Sequence, residues 1–517
     1  MKRLCSLIAA CMLLPALAWS QALPPLSSLR VSYNTRKTTV RPQGELKSQI
    51  DEIDRQIAEA LRLGRIGEVR RLYAKGQTLL AGRPWNDAAD FGSSIALRTE
   101  RVLADSTRPY VLRLEQIYSP DIALERPLSA HVTLRQRPAA GPPAAGAPAA
   151  PEVVKDLGSV EGVSRDLRET PQLFDLDLND VPDGGYQLAV DVTDGTRAVG
   201  TATLLVQFKK GLDDLVSQLE ADARRAPEDV RADILFPVER MRNVNRGRLE
   251  LRTFDPDHDF AAAKAVAAAA KSEKNPFTRQ TGDFKRHYVL DAAREVMPYR
   301  MYVPTKYDGS KPYPLIVALH GVTRTEDWFF DSNNRAFAPL AEQHGYIVAS
   351  PFGYRTDGGY GWGVGEPPSD PATRQLQERS EADVMQVLEI VKRQYKIDES
   401  RIYLVGHSMG AIGTWKIAAK YPDIWAAIAP IAGNGQPATL ERLRQVPAIV
   451  VHGDADNTVP VQGSRTMVAK AKELGIEVHY IEVPGGSHDG VVGANFQAVF
   501  DFLDAHRKGA RTTSQQP

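Results

Sequence analysis

Arg401–Tyr421 reads RIYLVGHSMGAIGTWKIAAKY: an apolar run that ends in Gly-His-Ser-Met-Gly and passes at once into a helix-forming segment. Ile402–Val405 is short, apolar and followed by glycine, which predicts a buried strand. Ser408 then falls on a sharp strand-to-helix turn, a nucleophile elbow, with Gly406 and Gly410 where a turn with positive φ brings neighbouring backbone too close for side chains. The turn leaves the hydroxyl exposed at a helix start. There the Met409 N–H has no intrahelical partner and points where an oxyanion would form.

Two later loops complete the pattern. Pro447–Pro460, PAIVVHGDADNTVP, is an apolar run ending in a loop that carries Asp454 and Asp456. His488 lies in Gly485-Gly-Ser-His-Asp-Gly490, a glycine-rich loop after the apolar run Val478–Val483. A serine, an acid and a base thus follow one another at the C-terminal ends of predicted strands, where an open α/β sheet forms its crevice. Apolar runs near Lys285–Leu290, Tyr299–Val303, Leu315–Leu319, Ile347–Ser350, Ile402–Val405, Ala426–Ile431, Ala448–Val451 and Val478–Val483 predict eight strands of a mostly parallel sheet with helices between the later ones.

On these residues the region from about Arg286 to His506 resembles the esterase and depolymerase branch of the α/β-hydrolase superfamily. It is similar to polyhydroxybutyrate-depolymerase-like and feruloyl-esterase-like enzymes, and to the catalytic domain of prolyl oligopeptidases. The matching segments are MPYRMYVP (Met297–Pro304), YPLIVALHG (Tyr313–Gly321), IYLVGHSMG (Ile402–Gly410), HGDADNTVP (His452–Pro460) and Gly486–His488. The resemblance implies a Ser408–His488–Asp456 triad, since the pattern HGxxDxxVP puts the acid at Asp456 with Asp454 as its competitor. It implies a second oxyanion donor after His320-Gly321, with the Val322 N–H the better match and Gly321 the next. It also implies structural roles for His320, His407 and His452. A lid is commonly inserted between the sixth and seventh strands in the family. Here only Ala432–Val446 lies there, which predicts an open site for bulky, aromatic or polymeric esters.

Two aromatic loops begin at predicted C-terminal strand ends, Trp328-Phe329-Phe330 and Tyr354–Gly365 (YRTDGGYGWGVG). Trp328, Tyr360 and Trp362 are therefore candidate substrate-binding residues, the plainer alternative being that they pack the loops. His131, His287, His344, His479 and His506 lie in strand or helix patterns and read as ordinary surface or core residues.

The 517 residues exceed single-domain size, and 64 basic against 64 acidic residues with no basic stripe argue against a nucleic-acid partner. Residues 1–22 pair Lys2 and Arg3 with an apolar stretch and Ser20-Gln21-Ala22, the pattern of a removable export signal, so a periplasmic or secreted location is expected. Ile8-Ala9-Ala10-Cys11 has the look of a lipobox, but the apolar run continues to Leu17, which favours plain export. Both cysteines, Cys5 and Cys11, lie in that segment, leaving no thiolate metal site or disulfide beyond it.

Residues 23–105 read as an N-terminal helical region. Ile50, Ile53, Ile57 and Leu61, then Ile66, Val69, Leu72 and Tyr73 after Gly64, recur at helical spacing. Residues 106–210 turn to strand alternation with an Asp194-Gly195 hairpin signal. Six or seven short strands predict an immunoglobulin-like β-sandwich, interrupted by the low-complexity Arg137–Pro151. Carbohydrate contact is the sharper reading of such a sandwich, a spacer role the plainer one. Residues 211–278 read as a helical linker ending at Asn275-Pro276. Its Asp255-Pro-Asp-His-Asp is a capped helix start more economically than a metal site at His258. The α/β-hydrolase domain is expected over 279–508 and a disordered tail over 509–517. No cofactor and no membrane span are expected, and the oligomeric state is open.

The resulting expectation is an exported serine carboxylester hydrolase. A prolyl-oligopeptidase-like peptidase is the alternative, disfavoured by the lack of a propeller repeat upstream. A non-catalytic binding module is the third reading, disfavoured because serine, acid and base are all present.

Overall fold

The structure, a computed structural model, describes residues 26–121, 128–137, 151–271, 275, 277 and 280–509. The export-signal segment, both cysteines, most of the low-complexity stretch and the expected tail beyond residue 509 lie outside them. Among the described residues no helix is long and apolar enough to cross a membrane. The chain divides into two compact units, residues 1–217 with 240–254, and residues 218–239 with 255–517. The expected linker is thus shared between the two.

The first unit opens with helices over Leu26–Val40, Gly44–Arg62 and Ile66–Leu80. Gly64, at φ +68°, makes the turn expected between the last two. Ile50, Ile53, Ile57 and Ala60 form the buried stripe of the second helix. Leu61 and Ile66 are exposed, against the periodicity reading, because they sit at the helix ends where Ala60 and Val69 take the inward positions. The helix over Leu26–Val40 was not legible in the pattern. It is held mainly by Tyr33, whose ring lies where a Cβ on Gly76 would sit and packs edge-on to Tyr73 at 5.5 Å.

Eight strands follow in two sheets. Tyr110–Gln116 pairs antiparallel with Ile95–Thr99 and Gln172–Leu176. The second sheet runs in the order Leu103–Ala104, Arg197–Phe208, Gly184–Asp194, Leu128–Gln136, Val153–Val163. Asp194-Gly195 makes the expected hairpin, with Asp194 opposite Arg197 and Gly195 at φ +60°. Pairing begins at Ile95, upstream of residue 106. Every aromatic side chain of residues 106–210, Tyr110, Tyr118, Phe174, Tyr186 and Phe208, is buried.

The second unit contains an eight-stranded sheet: β1 (Gly282–Leu290), β2 (Glu295–Val303), β3 (Tyr313–Leu319), β4 (Ile347–Pro351), β5 (Ile397–His407), β6 (Ala427–Ile431), β7 (Ala448–Gly453) and β8 (Val478–Val483). The spatial order is β1-β2-β4-β3-β5-β6-β7-β8, with the β1–β2 and β2–β4 pairs antiparallel and the other five pairs parallel. Residues of β3, β4, β6 and β7 are buried on both faces, which is why they read as unbroken apolar runs rather than alternating ones. Helices α1 (Phe337–His344), α2 (Pro371–Gln394), α3 (Met409–Lys420), α4 (Gln462–Glu473) and α5 (Phe496–Asp504) follow in chain order. On one face Phe329, Phe337, Phe496 and Phe500 pack with Ile316, Val405 and Ile431 of the sheet.

Two strands start well before their apolar segments. β2 begins at Glu295 because its first residues pair with β1, and β5 begins at Ile397, where the polar Asp398–Arg401 carry no hydrophobic signal. At the helix start before α1 of the unit, Asp255 accepts from the His258 N–H at 3.1 Å, the cap expected of that segment. Between β6 and β7 there is only a short 3-10 helix, Pro437–Leu443.

Candidate active site

Ser408 stands between β5 and α3 with φ +56° and ψ −118°, a conformation that costs of order 1–3 kcal/mol for a non-glycine residue and is held only by its surroundings. Its N–H donates to Ile431 O on the neighbouring β6 at 2.9 Å, and its carbonyl accepts from Ile412 N–H at 3.0 Å. A serine before a helix usually caps it with its hydroxyl. Here the side chain makes no cap bond, because the elbow turns it towards His488. Both flanking glycines are required by close backbone approach. A Cβ on Gly406 would lie 2.2 Å from Gly410 O, and one on Gly410 only 1.9 Å from Leu319 O.

His488 Nε2 lies 2.8 Å from Ser408 Oγ, and His488 Nδ1 lies 2.7 Å from Asp456 Oδ2. Facing a carboxylate, Nδ1 carries the proton and donates it, which leaves the Nε2 lone pair to accept from the serine hydroxyl. Asp456 Oδ1 accepts from the N–H groups of Thr458 at 2.8 Å and Val459 at 2.9 Å. Burial pushes the Asp456 carboxyl up, but the hydrogen bonds from His488, Val459 and Thr458 outweigh it and leave the group below its ordinary range.

The competing acid does something else. Asp454 accepts from the Gly485 N–H at 2.6 Å, and a Cβ on Gly453 would lie 2.0 Å from Gly486 O, so the two loops are pinned together side by side.

The Met409 N–H is at the first position of α3 and the Val322 N–H in the loop after β3. Neither has a backbone acceptor among the described residues. That loop turns through Thr323 at φ +67° and is fixed by Thr323 N–H to Thr356 O at 2.8 Å. A Cβ on Gly321 would approach Ser408 Cβ to 3.2 Å, so glycine lets the loop lie against the elbow.

The three candidate aromatics have different surroundings. Trp328 is half-buried and stacks on His407, ring centroids 4.7 Å apart and planes at 12°. Tyr360 is a correction: it is fully buried, its hydroxyl donates to His320 O at 3.2 Å, and its ring fills the space left by Gly353 and Gly413. Trp362 is half-buried. It lies by Lys420, whose Nζ is 5.3 Å from the ring centroid, and Lys420 ends α3 while Ser408 precedes its start. A helix of that length puts the Cα atoms of Lys420 and Ser408 roughly 15 Å or more apart. The start of their loop at the C-terminal end of a strand drew both residues into the crevice reading. The glycines instead let the loop run against α2 and α3, where Tyr360 N–H donates to Ser380 Oγ at 3.0 Å and Lys416 Nζ donates to Gly361 O at 2.8 Å.

The histidines read as structural are buried here. His320 Nδ1 and Nε2 lie 2.8 Å from Gly321 O and Phe352 O. His407 Nε2–H donates to His488 O at 3.2 Å. Burial first, and the neighbouring His488 second, lower His407 from the ordinary 6.5 to about 4, and burial lowers His320 in the same direction. The unfolded chain therefore binds protons at these sites as pH falls through 6.5, while folded His407 does not until about 4. By linkage this part of the stability is complete above the upper value and lost between the two. We expect the urea midpoint to fall over that window and the fall to be shallower in His407→Gln; an identical slope in the variant would remove His407 as its source.

Residues 292–472 match the family described as "Putative esterase", a span that includes Ser408 and Asp456 and ends before His488. A bifunctional acetylxylan esterase/xylanase from Neocallimastix patriciarum is 28% identical over 181 residues, 35% of this chain and 24% of that protein. A poly(3-hydroxyalkanoate) depolymerase C from Paucimonas lemoignei is 35% identical over 124 residues, 23% of this chain and 28% of that protein. The chain thus spans about a quarter of the length of these curated relatives. Among solved structures, a CE1 ferulic acid esterase from Anaeromyces mucronatus aligns over 45% of this chain and 93% of its own at 18% identity, with a TM-score of 0.36, a value too low to add weight. The family match and the curated relatives agree with the sheet and elbow described above: residues 292–472 of the second unit are similar to the esterases of the α/β-hydrolase superfamily.

Proposed function

We propose that the protein is an exported serine carboxylester hydrolase that works through an acyl-enzyme, with Ser408 as nucleophile, His488 as general base and Asp456 as its orienting acid. The observation that carries this reading is the unbroken chain from Ser408 Oγ through His488 to Asp456, at 2.8 and 2.7 Å, on a serine held at positive φ. A serine hydroxyl is a weak nucleophile at neutral pH. With His488 Nε2 taking its proton as Oγ attacks the ester carbonyl, the alkoxide need never form free. The oxyanion would be met by the N–H groups of Met409 and Val322, each such donor being worth on the order of a hundredfold in rate. His488 then returns the proton to the departing alcohol, and a water repeats the sequence on the acyl-enzyme.

The substrate class rests on less. The short β6–β7 connection supports an open crevice, and Trp328 with the exposed Val322 side chain offers an apolar rim for a bulky or aromatic ester. Ser408 itself retains 6% of its surface. Upstream, we read the two sheets as an immunoglobulin-like sandwich. Its five buried aromatics support the spacer role over carbohydrate stacking.

The test is hydrolysis of p-nitrophenyl acetate and butyrate by the purified protein between pH 5 and 9, beside a proline p-nitroanilide. Ester turnover that rises with pH as a histidine deprotonates, with no anilide cleavage, is the expected result. Anilide cleavage in place of ester cleavage would move the site to the peptidases.

A further inference from the structure

Asp456 is held by a second imidazole. His452, at the end of β7, has no exposed surface, and its Nε2 lies 3.1 Å from Asp456 Oδ2, the same oxygen that receives His488 Nδ1–H, and 2.9 Å from Val459 O. Both neighbours of Nε2 are acceptors, so the proton sits there. On the other side of the ring, Ser464 Oγ of α4 lies 2.7 Å from Nδ1. Ser464 is itself 2.9 Å from Gly433 O, and a Cβ on Gly433 would lie 3.0 Å from Ser408 O. The polar path thus leaves the elbow through His488 and Asp456 and returns beneath it through His452, Ser464 and the loop after β6.

An apolar ring of similar size would fill this interior without the desolvation penalty of an imidazole, so the position is explained by what its two nitrogens do. Without the Nε2–H, Asp456 Oδ2 would keep a single donor and the carboxylate would be free to rotate about the bonds to Thr458 and Val459. We propose that His452, held in place by its contact with Ser464, is a positioning residue of the catalytic machinery, fixing Asp456 and drawing charge from its carboxylate. This rests on the triad reading above, and makes the device a five-residue relay, Ser408, His488, Asp456, His452 and Ser464.

The sign follows. Losing the second N–H leaves Asp456 a stronger partner for protonated His488, so His488 holds its proton to higher pH and the acid limb of activity moves up. The measurement is the rate of phosphonylation of Ser408 by a fluorophosphonate ester as a function of pH, which needs no knowledge of the natural substrate. In His452→Phe the rate at neutral pH should fall about tenfold or more, with the midpoint displaced to higher pH by about half a unit. His452→Gln places an amide N–H near the Nε2 position and should recover the rate to within about threefold and the midpoint with it. Ser464→Ala should shift both in the direction of His452→Phe, and decides the matter should that variant fail to fold.

A His452→Phe protein with the parent rate and midpoint overturns the inference. So does a His452→Gln protein as impaired as the Phe variant, since ring packing would then be the cause, or a Ser464→Ala protein with an unchanged profile. Absence of any labelling of Ser408 in the parent protein would instead defeat the triad reading itself.

Discussion

Ser408→Ala should leave ester hydrolysis at the level of the background reaction plus whatever the oxyanion donors supply alone, a fall in kcat on the order of 10^4 to 10^6. The size follows from the way the elbow is built. Among the described residues no other side-chain hydroxyl bonds His488, whose ring gives Nε2 to Ser408 and Nδ1 to Asp456. Alanine removes only the Oγ atom from a turn already at φ +56° and adds no heavy atom, so the fold should persist and the melting temperature should stay within a few degrees of the parent. The measurement is p-nitrophenyl acetate turnover with thermal unfolding alongside. A folded Ser408→Ala protein that retains a tenth of the parent activity would rule out this serine as the nucleophile.

Gly410→Ala should have the opposite signature, a loss of the folded protein itself. The new Cβ would lie 1.9 Å from Leu319 O, 2.5 Å from Leu319 C and 2.8 Å from His320 O, all backbone atoms of β3 and the turn after it. β3 is buried along its whole length, paired on one side to β4 and on the other to β5, so it has no direction in which to withdraw. Neither can α3 move, because Ser408 N–H is tied to Ile431 O and the helix start carries the elbow. A single methyl group here costs at least about 3 kcal/mol, more than an ordinary overpacked core site, because a backbone clash cannot be relieved by a rotamer change. Poor soluble yield, or a melting temperature lower by about 10 °C, is the expected outcome. A Gly410→Ala protein that melts with the parent would show that the two elements are not pressed together.

The parts of this chain that could be read directly were those whose physics is local. Eight apolar runs gave eight strands because most of them are buried on both faces, and a continuous apolar run needs no partner to be recognised. Gly406, Ser408 and Gly410 announced a strained turn because only small residues tolerate that backbone, and the acid and base loops announced themselves by glycine after strand. Asp456 was separable from Asp454 only through the resemblance. In the structure the difference is that Asp454 bonds the Gly485 N–H while Asp456 bonds His488.

Tertiary structure decided everything that depends on which way a side chain faces across a gap in sequence. Tyr360 and Trp362 are aromatic residues in a glycine-rich loop. Composition does not say that one ring drops onto Gly413 and the other lies by Lys420 at the far end of α3. Leu61 fits the helical stripe by spacing, yet it is exposed because the helix ends beside it. His452 is four residues from Asp456, a separation that in a loop fixes no direction. Its second contact, Ser464, comes from a helix packed on the sheet, and Gly433 comes from the loop after a neighbouring strand. Local sequence therefore determined the sheet, the elbow and the order of serine, acid and base, because burial and backbone strain act on adjacent residues. The packing of β7 against α4 and the loop after β6 decided that a buried imidazole stands behind the acid, because hydrogen bonds between distant segments exist only once the chain has closed around them.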